Sequence, residues 1–123
     1  MTMEHDIRFY DTSALLALGE QMPEEKIMIS SITLNELERI KVSSTKDSDT
    51  KYLARQILKW LRENIELYDL IIHTENMENT IREKFLTITD DTRILSDAIY
   101  ANNFIHPDKV IFVTNDFSLA NIA

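Results

Sequence analysis

Short apolar runs alternate along the chain with longer segments of helical spacing. Ile7-Arg8-Phe9-Tyr10 reads as a strand ended by Asp11-Thr12-Ser13. Ala14–Leu18 follows as a helix, with Thr12 or Ser13 as its N-cap and Gly19 as its stop. Lys26–Ser30 is a second strand. Beyond it the apolar positions Ile32, Leu34, Leu37 and Ile40 shift to a helical period, which predicts a helix over Thr33–Lys41. Val42–Thr50 (VSSTKDSDT) is polar and turn-forming. Lys51–Asn64 carries the clearest helical pattern, with Ala54, Ile57, Leu58, Leu61 and Ile65 on one apolar face. Trp60 lies off that stripe and is expected to pack. Glu66–Thr74 predicts a third strand and Asn76–Phe85 a short helix. A further helix runs from Thr89 or Asp90 to about Ala101, turning Ile94, Leu95, Ala98 and Ile99 inward. Lys109–Thr114 (KVIFVT) has the nearly continuous apolar pattern of a strand buried on both faces. Phe117–Ala123 reads as a last helical turn. Strands alternating with helices in this way predict a layered α/β fold on a mainly parallel sheet, one domain over residues 1–123.

Composition narrows the chemistry. The 123 residues are 44% apolar and 28% charged, the balance of a soluble globular chain. No apolar run is long enough to cross a bilayer, and the charged opening Met1–Tyr10 is unlike a signal peptide. There is no cysteine, which excludes disulfide scaffolds, thiolate zinc sites and cysteine nucleophiles, and fits a cytoplasmic location. The single glycine, Gly19, excludes the glycine-rich loops that cradle phosphates, so phosphate chemistry would have to use side chains or metal ions.

The net charge of −8, from 21 acidic and 13 basic side chains, argues at first against a nucleic-acid partner. The charge is uneven, however. Arg39–Arg62 holds seven basic residues against Asp47 and Asp49, a net +5, and the remaining six basic and nineteen acidic residues give −13. Within that segment Lys51, Arg55, Lys59 and Arg62 line one helix face beside the apolar stripe, a candidate track for an RNA backbone or else a solvated face.

Ligands of open α/β sheets bind beyond the carboxyl ends of the strands. Asp11 follows the first strand and Asp116 the last, Glu36 lies in the helix after the second, and Asp91 opens the helix before the last. Each has a plainer role available: Asp11 as a helix cap, Glu36 as a solvated acid, Asp90 and Asp91 as first-turn acids facing the helix dipole, Asp116 in an Asx turn. Brought together, the four would repel one another unless a cation neutralised them. Oxygen ligands without cysteine or clustered histidine select Mg²⁺ or Mn²⁺, ions that activate water and support in-line attack on phosphodiesters.

IRFYDTSALLAL, ISSITLNELERIK, DDTRILSDAIYA and VIFVTNDFSLANIA resemble, in order, the four acidic motifs of the PIN-domain nucleases. The second and third are similar in particular to the PIN domain of PhoH-type proteins. The resemblance implies a three-layer fold and a metal-dependent endoribonuclease using Mg²⁺ or Mn²⁺ on RNA. It places Asp11, Glu36, Asp91 and Asp116 as metal-binding catalytic acids, with Ser13 and Thr114 close behind them. Asp97 is the alternative third acid, from the register in which it precedes Tyr100. Asp91 is preferred, because it lies within ~60° of the Ile94, Leu95 and Ala98 face whereas Asp97 lies further round. PIN domains usually continue into a further edge strand, which a chain stopping at Ala123 is expected to lack. An unpaired edge would invite a partner, a second copy or an antitoxin if the chain is a toxin.

The rival reading is a PIN-like module that binds RNA or protein without cutting. A receiver-like phosphoacceptor fits less well, since no lysine follows the last strand. His5, His73 and His106 lie far apart and read as structural or surface residues. Ser13 has no evident His–Asp pair in sequence, and Arg93 is expected to neutralise Asp90 or Asp97, or to touch a phosphate.

Overall fold

The structure is a computed structural model that describes residues 6–84, 87–105 and 109–115. Four strands, β1 (Ile7–Tyr10), β2 (Ile27–Ser30), β3 (Tyr68–Ile71) and β4 (Val110–Val113), form one sheet in the order β3-β2-β1-β4. Every pairing is parallel, with Phe9 opposite both Met28 and Phe112. The helices are α1 (Thr12–Leu18), α2 (Ser31–Lys41), α3 (Ser48–Glu63), α4 (Glu75–Lys84) and α5 (Asp90–Tyr100).

The period-two alternation of the strands divides the core into two layers. Tyr10, Ile27 and Ile29 point to one face and pack with Ala14 and Leu15 of α1, Leu37 of α2 and Ala54, Ile57, Leu58 and Leu61 of α3. Ile7, Phe9 and Met28 point to the other and pack with Met77 of α4 and Ile94 and Ala98 of α5. The molecule is therefore a three-layer α/β fold. Trp60 is partly buried against the first layer, the packing role expected of it.

Several boundaries differ from the sequence reading, each for a physical reason. α1 begins at Thr12 because the Asp11 N–H still bonds Val113 O at 3.1 Å, in line with the sheet, so Asp11 rather than Thr12 or Ser13 becomes the cap. Asp47 caps α3 through Thr50 N–H, drawing Ser48–Thr50 out of the expected loop and into the helix. At the other end of α3, Asn64 leaves helical geometry; Ile65 falls in a 3₁₀ turn (Ile65–Leu67) and is exposed instead of continuing the apolar face. β3 is accordingly shorter than Glu66–Thr74. β4 is only half-buried throughout, not buried on both faces, because among the described strands it pairs with β1 alone. α5 passes into a π-helical turn over Ala101–Ile105, where Tyr100 and Phe104 rings meet at 5.1 Å. The expected turn over Phe117–Ala123 lies outside the described residues, as do His5 and His106.

Candidate active site at the carboxyl edge of the sheet

The connections set where a site can form. From β1 the chain winds one way to β2 and β3, then returns to place β4 on the other side of β1. The gap beyond β1 and β4 is thus the switch point at which such sheets open a crevice. Asp11 and Thr114 border it from the two sides.

Asp11 is 2% exposed and fixed at both oxygens. Its Oδ1 accepts from Ala14 N–H at 2.8 Å and from Ser13 Oγ at 2.9 Å, and its Oδ2 accepts from Thr114 Oγ1 at 2.5 Å. Ser13 Oγ lies 3.4 Å from Thr114 Oγ1 and accepts from Asn115 N–H at 3.0 Å, tying the end of β4 to the start of α1. Oδ1 thus has both lone pairs engaged, and Oδ2 keeps one for a further partner.

The next residue carries the link to α2. Thr12 Oγ1 donates to Glu36 Oε1 and lies 3.3 Å from Thr33 Oγ1. Burial pushes the Glu36 carboxyl above its ordinary range and the nearby charges of Asp90 and Asp91 add to this, while the Thr12 hydroxyl and Arg39 oppose it. Glu36 therefore lies near the first turn of α5, and Thr12 ties it to the residue next to Asp11. Asp90 is held by Arg39 at 2.7 Å and by Arg93 at 3.1 Å, and Arg93 also bonds Glu78 at 2.7 Å. Arg93 neutralises Asp90, one of its expected partners, and does not bond Asp97.

Asp97 departs from the helical-wheel expectation. It is completely buried, whereas Asp91 is exposed. α5 packs against α2, α4, β2 and β4, and burial runs through the five consecutive residues Ile94–Ala98, around most of the helix, while Asp91 stays exposed. Asp97 Oδ2 accepts from Ser30 Oγ at 2.6 Å, and Oδ1 lies 2.6 Å from His73 Nδ1. Burial raises the Asp97 pKa; the Ser30 and His73 bonds work against that rise. Sequence alone does not mark Ser30, His73, Thr12 or Thr33 as site residues, since isolated hydroxyls and a lone histidine carry no spacing signal. On its other side His73 Nε2 is buried 3.7 Å from Glu78 Oε1 without a hydrogen bond.

The basic residues of α3 are mostly exposed: Lys51 is half-buried, and Arg55, Lys59 and Arg62 face solvent. None of the four forms an ion pair among the described residues. Lys59 lines a separate cleft with Gly19 and Glu20, at the far end of α1 from Asp11. A larger cavity of about 640 Å³ lies elsewhere, bordered by Ile72, Met77, Tyr100 and Phe104.

Compared with known families, residues 8–123 match the profile of the PIN domain, nearly the whole chain. The chain belongs to the PIN-domain family. No curated protein matches it. PIN domains are generally metal-dependent nucleases, so the fit of this one to a divalent cation matters. Among the described residues no three acid or histidine groups come close enough together to hold a metal; Asp116 lies outside them. The donor chemistry nevertheless suits a hard cation. The donors are carboxylates and hydroxyls with no thiolate, and burial, with the charges of Asp90 and Asp91 adding to it, raises Glu36, a cost that a bound divalent ion would offset. No helix of the described residues is long and apolar enough to cross a membrane.

Proposed function

We propose that this PIN domain is a metal-dependent endoribonuclease acting at the carboxyl edge of its sheet. The observation that supports the reading is buried Asp11 at the switch point, with the next residue, Thr12, bonding a Glu36 that feels the acidic first turn of α5. In this reading Asp11, Glu36, Asp91 and Asp116 hold Mg²⁺ or Mn²⁺. A divalent ion so bound supplies water activation and stabilises the charge of the leaving oxygen. Ser13 and Thr114 orient the Asp11 carboxylate, and Thr12 orients Glu36. Asp97, with both oxygens engaged by Ser30 and His73, acts as a buried brace between α5 and the ends of β2 and β3. Lys51, Arg55, Lys59 and Arg62 would follow the RNA backbone through salt-sensitive contacts. The ELERIK and DTRIL segments support a kinship with the PhoH-type subgroup.

The test is cleavage of a labelled RNA with Mn²⁺, Mg²⁺ or EDTA, comparing the native protein with Asp11→Asn and Asp116→Asn. Cleavage should need the cation and be lost in both variants. Cleavage that persists in EDTA, or equally in the variants, would sink the assignment. RNA binding without metal-dependent cleavage would instead make the protein a non-catalytic binding module.

A further inference from the structure

A cleft of about 250 Å³ opens beside Glu36, lined by Glu36, Arg39, Ile40, Ser43 and Lys46. Glu36 and Arg39 are three residues apart on α2 and so project from neighbouring positions on one side of the helix. The loop after α2 closes the cleft and is shaped from within. Ser43 N–H bonds Ile40 O at 3.1 Å, and Ser43 Oγ accepts from the N–H groups of Thr45 and Lys46 at 3.0 and 3.2 Å. That folding brings exposed Lys46 round to the same cleft as Arg39, with no ion pair to a described residue. Arg39 has one ion-pair partner, Asp90, at 2.7 Å, and its side chain is 64% exposed. An ion pair so open to water is held weakly and exchanges readily.

Two cations thus line a small cleft together with the proposed metal-site acid Glu36. Of the basic row of α3, Lys59 lies at a separate cleft with Gly19 and Glu20. We infer that the Arg39–Lys46 cleft is a phosphate subsite for the substrate strand, taking a backbone phosphate adjacent to the scissile one. The inference rests on the nuclease reading and adds to it the positioning of the strand. Arg39 exchanges the Asp90 carboxylate for phosphate, an anion its planar guanidinium matches through paired hydrogen bonds, and Lys46 adds a point charge.

The experiment is binding of a fluorescent single-stranded RNA oligonucleotide by anisotropy, in EDTA and across a salt series. Native protein is compared with Lys46→Glu, Arg39→Gln, Asp90→Asn and Lys109→Glu, the last a charge control at the exposed amino end of β4. Lys46→Glu and Arg39→Gln should each weaken binding roughly tenfold at low salt. Each should also flatten the dependence of log K on log salt by about 0.7 per lost phosphate contact. Asp90→Asn should tighten binding by releasing Arg39, an effect not expected if Arg39 only braces α2 against α5. Lys109→Glu should leave affinity and slope unchanged. The subsite is overturned if Lys46→Glu behaves like Lys109→Glu, or if the native protein binds no RNA. Lys46-dependent binding by a protein that cleaves nothing would sink the nuclease reading and keep the subsite. Metal-dependent cleavage with native KM in Lys46→Glu would do the reverse.

Discussion

Glu36 carries its charge against burial and against two neighbouring aspartates, with one hydroxyl and one arginine in its favour. Its folded pKa therefore lies above the ordinary 4.5, and the penalty for ionising it is present at neutral pH. As pH falls through that raised pKa the native carboxyl takes up its proton and the penalty disappears. Glu36→Gln should accordingly raise the thermal midpoint at pH 7, and the gain should shrink on acidification. Melting curves over a pH series check both the sign and the direction, and a lower midpoint at neutral pH would contradict this balance. Stability gained where function is lost is the usual mark of a site held under strain. Asp91 and Asp97 separate along the same line. Asp91→Asn should abolish most cleavage and leave the melting point close to native, because its side chain is exposed. Asp97→Asn should cost about 1–3 kcal/mol in urea unfolding, since it disturbs a buried bond to His73. Loss of cleavage by Asp97→Asn alone would make Asp97 the third acid.

Among the elements, α1 has the heaviest duty for its size. It spans only Thr12–Leu18, yet it starts on Asp11, presents Ser13 to Thr114 and Thr12 to Glu36, and buries Leu15 completely. A helix this short depends on its caps and its packing, because its own hydrogen bonds are too few to sustain it. At its start Asp11 accepts the Ala14 N–H, and asparagine does this as well as aspartate. Asp11→Asn therefore removes the charge and preserves the helix, which makes it the right substitution for the cleavage test. At its end Gly19 sits at φ 65°, and its N–H bonds the carbonyls of Leu15 and Leu16. A Cβ there would meet Leu53 at an ordinary 3.6 Å, so space is not the obstacle. Gly19→Ala should cost about 1–3 kcal/mol from backbone conformation alone, measured by urea unfolding. A smaller loss would show that the turn can relax.

At the scale of the molecule, the charge of −8 falls into regions with different tasks. The acids at the crevice repel one another, and the Arg39–Arg62 segment presents cations from the end of α2 down α3. An ion that binds the folded crevice and not the open chain stabilises the fold by mass action, by about 2.7 kcal/mol at a hundred times its Kd. For a domain of this size each kcal/mol moves the midpoint by roughly 2–6 °C. Adding Mn²⁺ or Mg²⁺ should therefore raise the melting temperature by several degrees, and Asp11→Asn and Glu36→Gln should erase that increment. An equal increment in the variants would locate the ion elsewhere.

The alternation of apolar runs with segments of helical spacing determined the strand and helix order. These features are local, and burial enforces them wherever the strand lies. The pairing of motif and strand end likewise marked Asp11, because a residue that leaves a parallel strand must emerge at the carboxyl edge. Tertiary structure alone decided the rest. Which of three consecutive capping residues begins α1 depended on a hydrogen bond to β4, a hundred residues away. Whether Lys109–Thr114 is covered on both faces depended on its place at the margin of the described sheet. The burial of Asp97 over Asp91 depended on the elements packed around the middle of α5, since a helical wheel reports direction and not depth. The union of Arg39 with Lys46 came from a turn closed by Ser43. Contacts between distant segments have no period, and only the packed chain brings them together.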